Sequence, residues 1–228
     1  MSIFEKVLLA LVVAAVLGLG SGRTALADNV NFNFETVATT TRGALTSLAI
    51  SQGGLTMTLT RPGSAFDIRD LSPFVATMGF ATSWGARTLD PFSNFASNTL
   101  FNANFSQALS SISIDIGDFG QDDDTLMLQA YSGLDGTGTL LGSTSVLLPG
   151  GGSNFGFQTL SISAPAIQSV RFIGGNPSFP NSVFYDNFNA TFTPTAVPEP
   201  TTMILLGLGL VGLAARARRL SKTRRPRS

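Results

Sequence analysis

The chain contains no cysteine and no histidine, and these two absences exclude several kinds of protein. Without cysteine an exported domain has no disulfides, so its stability depends on its core or on a bound ion. Without histidine it has no Ser-His-Asp or Cys-His nucleophile system, and the usual zinc ligand sets are missing. An enzyme of this composition would have to use carboxylate, hydroxyl, tyrosine or arginine groups, and paired carboxylates are the arrangement we would look for.

Positive charge is scarce in the middle of the chain. Residues 28–196 contain no lysine and five arginines against twelve acidic residues, a net charge of about −7, although the whole chain is formally neutral. This stretch lacks the basic patch that contacts with phosphates require, so nucleic acid is not an expected partner. An acidic exported domain is instead compatible with a soluble outer surface, or with calcium.

The N-terminal end carries a short hydrophobic segment. Residues 7–19 are apolar and follow Lys6, and Ala25-Leu26-Ala27 is a small-residue site directly before Asp28. This order is typical of a secretory signal peptide. We therefore predict that residues 1–27 are removed, with Ala25 and Ala27 defining the cleavage site, rather than kept as a permanent N-terminal helix.

The C-terminal end carries Val197-Pro198-Glu199-Pro200, then an uncharged run at 201–215, then a tail at 216–228 with seven basic residues. The run is shorter than the roughly 20 residues that cross a hydrocarbon core, but arginine side chains can snorkel to cover the difference. The basic tail should stay cytoplasmic, and the two prolines keep the preceding segment extended. We predict a single transmembrane helix at about 201–215 and a basic cytoplasmic tail at 216–228.

Together these C-terminal features resemble the PEP-CTERM sorting signal, here at 198–220, which exosortase-type membrane enzymes recognise in Gram-negative bacteria. The resemblance implies export across the inner membrane and a membrane-anchored precursor. It also implies processing at Val197, Pro198, Glu199 and Pro200, and a final place at the cell surface or outside the cell. Many proteins with such signals are associated with extracellular polysaccharide, which makes polysaccharide a candidate partner. An ordinary membrane anchor is the alternative.

Between the two ends, apolar residues recur at every second position, which is the period of β-strands. Strands are predicted at 30–35, 44–51, 55–60, 99–105, 111–116, 126–131, 139–148, 155–162, 167–173 and 183–192. Turns rich in glycine and proline separate them, and no long amphipathic helix interrupts the pattern. We predict an all-β domain at 28–193, a two-sheet antiparallel sandwich of jelly-roll type, followed by a linker at 194–197.

Acidic residues between two of these strands are the first candidate metal ligands. Asp118, Asp122, Asp123 and Asp124 could offer carboxylate oxygens to calcium, and a solvated hairpin turn is the alternative. Asp67 and Asp70, beside Arg69, are interpreted as a solvated strand end.

A second candidate ion site involves the first and last strands. Asp186 shares the parity of Phe184 and Phe188, so it would point with core residues and would need a partner. Glu35 could approach it if the two strands are neighbours, while an ion pair with Arg171 or a turn hydrogen bond is the alternative. The combination of Glu35, Asp186 and Asn187 is similar to the structural calcium site of jelly-roll carbohydrate-binding modules. The resemblance implies Ca²⁺ as a structural ion, and no other cofactor is expected.

Aromatic usage bears on ligand binding. Eighteen phenylalanines against one tryptophan and two tyrosines indicate rings used mainly for packing. Trp84, in a loop-like segment, is a candidate platform for stacking a sugar, and a buried aromatic under a long loop is the alternative.

Two classes of function remain. The first is an exported, non-catalytic cell-surface or matrix protein that binds polysaccharide, and the second is a carboxylate-dependent glycan-processing enzyme on a β-sandwich. A glycosidase needs two carboxyl groups facing one cleft, whereas Glu35 is the only glutamate in 28–193 and no two acids flank an evident aromatic cleft. We therefore predict a non-enzyme with no catalytic residues.

Overall fold

The computed structural model describes residues 26–40, 43–73, 84–91, 95–120, 122–151 and 155–194, together with Gly207, Gly209, Val211 and Gly212. Residues 25–194 form one compact unit, called the body below, and residues 1–24 with 195–228 form a second unit. The four described residues of the second unit are helical. The remainder of the predicted transmembrane segment, Ala25 and the rest of the predicted signal peptide before it, and the processing signal at 197–200 lie outside the described residues. Across the ranges given above, no helix is long and apolar enough to cross a membrane.

The described part of the body contains ten strands. They are β1 Asp28–Phe32, β2 Ser47–Gln52, β3 Leu55–Thr60, β4 Asp67–Asp70, β5 Arg87–Asp90, β6 Phe101–Asp118, β7 Asp124–Tyr131, β8 Leu140–Leu148, β9 Gly156–Gly175 and β10 Phe184–Phe192. Each predicted strand is present, and in most of them the alternating apolar residues lie on a buried or partly buried face. The strands predicted at 99–105 and 111–116 are two halves of β6, and those at 155–162 and 167–173 are two halves of β9.

The two long strands organise the body into two layers. β6 and β9 pair with each other in antiparallel fashion, with shifts of register between Asn104 and Leu109 and between Leu109 and Ser111. Bulges of this kind bend a strand, so each long strand contributes to both layers. The front layer has the order β2-β3-β6-β9-β7-β8, and the back layer has the order β4-β5-β10-β6-β9 with β1 beside β10.

The hydrophobic core lies between these layers. Phe172 of β9, in the front layer, stacks on Phe101 of β6 with ring centroids 5.3 Å apart. The same ring makes edge contacts with Tyr185 and Phe188 of β10, in the back layer, at 4.8 and 5.4 Å. The predicted all-β antiparallel sandwich is therefore confirmed. Its two layers belong to one hydrogen-bonded network rather than to two separate sheets, because β6 and β9 run through both.

β4 and β5 were not predicted, because four residues each with charged side chains at several positions give no apolar alternation. Asp67 of β4 is 3% exposed, and its carboxylate accepts hydrogen bonds from the N–H groups of Gly43 at 2.9 Å and Ala44 at 3.1 Å. The interpretation of Asp67 as solvated is therefore wrong, since the acid holds a turn that precedes β2. Asp70, at the other end of β4, is exposed as predicted.

Candidate functional site

A bulge in β10 positions the most unusual carboxylate of the body. The pairing of β10 with β6 shifts between Asp186 and Asn189, and Asn187 has a φ of 48°. Before the bulge, Asp186 pairs with Asp115 of β6, and its neighbour Tyr185 belongs to the main core. Phe188, beyond the bulge, belongs to the main core as well. The predicted common parity of Asp186 and Phe188 is wrong, because the bulge inserts an extra residue and leaves Asp186 on the outer side of the back layer.

Strand β1 brings further polar groups to this place. It pairs with β10 from Asp28 opposite Phe192 to Phe32 opposite Phe188, which is the neighbour relation that the prediction for Glu35 required. The group assembled in this way comprises the acids Glu35, Asp115 and Asp186 and the amides Asn31 and Asn187, and is called the carboxylate cluster below. Asn187 Nδ2 donates to Asp115 Oδ2 at 3.0 Å, and Asn31 Nδ2 donates to Asn187 Oδ1 at 3.4 Å.

Burial and neighbouring negative charges disfavour the ionised form of Asp186. Its side chain is fully buried, and its Oδ1 accepts the N–H of Asn187 at 2.7 Å, whereas its Oδ2 has no hydrogen-bond partner among the described residues. Burial raises the pKa of Asp186 to about 8, and the negative charges of Glu35 and Asp115 contribute to the increase. The turn hydrogen bond considered from the sequence is present, but in the described ranges no ion pair joins Asp186 to Arg171.

The other two acids are held by specific donors. Glu35 Oε1 accepts the N–H groups of Ala86 at 2.7 Å and Arg87 at 2.9 Å. This approach requires glycine at position 85, where φ is +83° and a Cβ would lie 2.2 Å from Glu35 Oε1. Asp115 Oδ1 accepts the hydroxyl of Thr159 at 2.6 Å. Each of these two carboxylates is therefore held by its own donors, and both add negative charge to the surroundings of Asp186.

The carboxylate cluster contains oxygen atoms of the kind that a hard cation binds. Asp186 Oδ2 and Asn31 Oδ1 are buried oxygens without a partner in the described structure, and carboxylate and amide oxygens are the ligands that Ca²⁺ prefers. Within the described ranges, no three side chains of Asp, Glu, His or Cys come together closely enough to hold a metal ion. Calcium bound here would therefore also need amide or carbonyl oxygens.

Asp118, Asp122 and Asp124, called the hairpin acids below, form a second group around the turn between β6 and β7. Asp124 is fully buried, and burial raises the pKa of Asp124 to about 7 and that of Asp118 to about 6. A Cβ placed on Gly120 would lie 3.5 Å from Asp118 Oδ2 and 3.8 Å from Asp124 Oδ2, so the two carboxylates flank the same residue. Asp122 and Asp123 are exposed and match the interpretation as a solvated turn, and Asp122 accepts a hydrogen bond from Asn176.

The predicted metal ligands thus belong to two separate groups, one with Glu35 and Asp186 and one with the hairpin acids. Sequence reasoning did not assign Asp115 or Asn31 to either group. Asp115 alternates with Ile114 and Ile116, which indicates that it faces away from the core. The register that places it opposite Asp186 has no signal in the sequence.

Trp84 does not present its ring to solvent. It is 1% exposed and packs in a small apolar cluster with Leu71, Phe155 and Phe184. Its ring centroid lies 4.7 Å from that of Phe155. The interpretation of Trp84 as a stacking platform is therefore wrong, and the alternative of a buried aromatic describes what the structure shows.

A family model for the PEP-CTERM protein-sorting motif matches residues 196–219, so the chain carries this motif at the predicted place. No curated protein matches the chain. Among solved structures, the K2 cleaved adhesin domain of Lys-gingipain is 14% identical with a TM-score of 0.44, covering 72% of this chain and 98% of that one. The K3 and K1 domains from Porphyromonas gingivalis W83 are 14% and 10% identical, with TM-scores of 0.42 and 0.41. They cover 73% and 74% of this chain and 99% of theirs.

Proposed function

We propose that the chain is an exported, non-catalytic cell-surface or extracellular-matrix protein of a Gram-negative-type bacterium. Its precursor is anchored in the inner membrane by residues 201–215 and is processed by an exosortase at Val197–Pro200. The observation that carries this proposal is the sorting motif at 196–219, which begins just after the body ends at residue 194. A motif of this kind implies export and a membrane-anchored precursor, and its position leaves the complete body on the outer side.

The placement of the acids supports a role without catalysis. A glycoside hydrolase needs two carboxyl groups about 5–10 Å apart that face one cleft and reach the substrate. In the carboxylate cluster, Asp186 is fully buried and Asp115 is 8% exposed. Glu35 is engaged by two backbone N–H groups. These acids serve the fold, and the body offers extracellular polysaccharide a binding surface rather than a reaction centre.

We also propose that the carboxylate cluster binds Ca²⁺ as a structural ion. Asp186 Oδ2 and Asn31 Oδ1 would be ligands, and the ion would neutralise part of the negative charge that Glu35 and Asp115 place beside Asp186. In a protein without disulfides, an ion that joins β1, β6 and β10 would stabilise the back layer.

Replacing Glu199 by alanine should leave an uncut precursor in the membrane. The substitution removes the charge between Pro198 and Pro200 while leaving the hydrophobic run and the basic tail unchanged, so anchoring persists and recognition is lost. Immunoblots of membrane and medium fractions from the native host, with the intact mass of the product, measure the result. Thr193→Ala, an exposed position outside the motif, is the matched control and should mature normally. Normal maturation of Glu199→Ala would contradict processing at this signal.

A further inference from the structure

A row of polar side chains crosses the outer side of the front layer. The register pairs Ser47 with Thr60, Thr60 with Asn102, Asn102 with Arg171, Arg171 with Gln129, and Gln129 with Ser143. Their neighbours in sequence, such as Phe101 and Phe172, lie in the core, so this row faces away from it. These six residues are called the polar strip below. Neighbouring strands lie about 4.8 Å apart, so the strip extends over roughly 24 Å, perpendicular to the strands.

The polar strip differs in charge from the rest of the body. Arg171 is its one charged member, whereas the body as a whole is strongly acidic. Within the described part of the chain, the side chain of Arg171 forms no ion pair and donates no hydrogen bond, and its Nε is buried without a partner. Asp135 lies near this face, where its Oδ1 accepts the amide N–H of Asn104 at 2.7 Å and its backbone N–H donates to Asn104 Oδ1 at 2.7 Å. The guanidinium of Arg171 is therefore a positive charge without an ion-pair partner in the described ranges, and the other five residues of the strip are neutral hydroxyl and amide groups.

The turn between β7 and β8 holds the arginine in place. A Cβ on Gly136, which has a φ of +68°, would lie 2.1 Å from Arg171 Cδ, so the turn packs directly on the arginine stem. The turn is itself fastened to the sheet, because Gly136 N–H donates to Ser169 Oγ at 3.0 Å and that hydroxyl donates to Gly133 O at 2.6 Å. An arginine whose stem is fixed loses less conformational entropy when its guanidinium binds a ligand.

A second member of the polar strip has an unsatisfied group. Asn102, beside Arg171, is 3% exposed, and its Oδ1 is buried without a hydrogen-bond partner among the described residues. A hydrogen bond from a sugar hydroxyl would satisfy this oxygen once the groups that cover it move to admit the sugar. On the other side of Arg171, Gln129 Oε1 accepts the hydroxyl of Tyr131 at 2.9 Å, which fixes the orientation of that amide.

We infer that the polar strip binds an extended acidic polysaccharide, with Arg171 receiving the carboxylate of a uronate unit. The planar guanidinium forms two parallel hydrogen bonds with a carboxylate, and the hydroxyl and amide groups on both sides suit the hydroxyls of neighbouring sugar units. The length of the strip across six strands suits a linear polymer. This inference rests on the proposed surface role and names the class of polysaccharide involved.

A matched pair of ligands tests this assignment. Oligosaccharides of β-1,4-linked glucose and their C6-oxidised counterparts of β-1,4-linked glucuronate share one backbone and differ in the carboxylate. Binding is measured by isothermal titration calorimetry with the full-length chain in detergent. We expect the glucuronate oligosaccharides to bind at least about tenfold more tightly than the glucose oligosaccharides, because they add a charge-assisted bidentate contact with Arg171. Arg171→Gln should abolish this preference. Arg171→Lys keeps the charge but loses the planar pair of N–H donors, so it should reduce the preference.

Arg69→Gln is the matched control, because it removes the same charge from the back layer, where Arg69 pairs with Asp90 at 3.4 Å. This variant should keep the preference. Equal affinity for both ligands, no binding of either, or an unchanged preference in a folded Arg171→Gln variant would overturn the inference. If circular dichroism shows that the variant does not fold, the test is made on the wild-type chain. Its preference for the glucuronate oligosaccharides must then decline as NaCl screens the charged contact. The assay needs no host processing, so its failure would leave the sorting proposal unaffected.

Discussion

Phe172→Ala is expected to lower the free energy of unfolding of the body by about 3–5 kcal/mol, the range for deleting a buried aromatic ring. The ring is fully buried and touches Phe101 in its own layer and Tyr185 and Phe188 in the other. Because β6 and β9 hold both layers in one hydrogen-bonded network, the layers cannot close the cavity by sliding together. For a domain of this size the melting temperature should fall by about 6–20 °C. Thermal circular dichroism of residues 25–194 measures the change.

Ile173→Ala provides the control for this experiment. Ile173 is the next residue of β9 and points to the outer side, where it is half-buried. Truncating this side chain should lower the free energy of unfolding by about 1 kcal/mol or less, since little packing is lost at a partly exposed site. Equal losses from the two substitutions would contradict the role of Phe172 as the contact that joins the layers. All ten described strands and both apolar clusters lie within the body, so we expect it to fold without the terminal segments.

The strands could be predicted because burial imposes a period of two on the sequence. The continuity of β6 could not, because alternation is interrupted around Gln107 and Ala108, where the register with β9 shifts. In the structure this interruption is a bend inside one strand, while in the sequence it is indistinguishable from a loop. β4 and β5 show no apolar period because each is four residues long and has a single apolar core residue, Ile68 or Leu89, among charged and polar positions.

The carboxylate cluster was only partly predictable for a related reason. The proximity of Glu35 and Asp186 follows from pairing the first and last strands, which is a simple topological hypothesis. The side of the sheet on which Asp186 lies depends on the bulge at Asn187. Asparagine adopts a positive φ more readily than most residues, but this preference alone does not predict a bulge at that position. The burial of Trp84 could not be predicted either, since an isolated tryptophan in a loop has the same sequence signature whether its ring is buried or exposed.

The pH dependence of stability without divalent cations follows from the same cluster. Burial raises the pKa of the Asp186 carboxyl from its ordinary value of 3.8 to about 8 in the folded body. Between these values the folded state keeps a proton that the unfolded state releases, so stability is complete at low pH and declines as the pH rises. In the presence of a chelator, raising the pH from about 5 to about 8 should lower the free energy of unfolding by on the order of 4 kcal/mol through Asp186 alone. Asp118 and Asp124 also reduce the free energy of unfolding as the pH rises, because their pKa values are raised as well.

Calcium should reverse most of this loss, because a bound cation stabilises the ionised carboxylate. At a free concentration of about 100 times its dissociation constant the ion contributes about 2.7 kcal/mol, or roughly 5–11 °C in melting temperature at pH 8. Asp186→Asn keeps the shape but cannot ionise, so this variant should melt above the wild type in chelator at pH 8 and gain little from Ca²⁺. Asp28→Asn, at an exposed position of β1, is the control and should behave as the wild type. Scanning calorimetry at both pH values measures these differences, and an Asp186→Asn variant that retains the full response to Ca²⁺ would refute the assignment of the ion to this cluster.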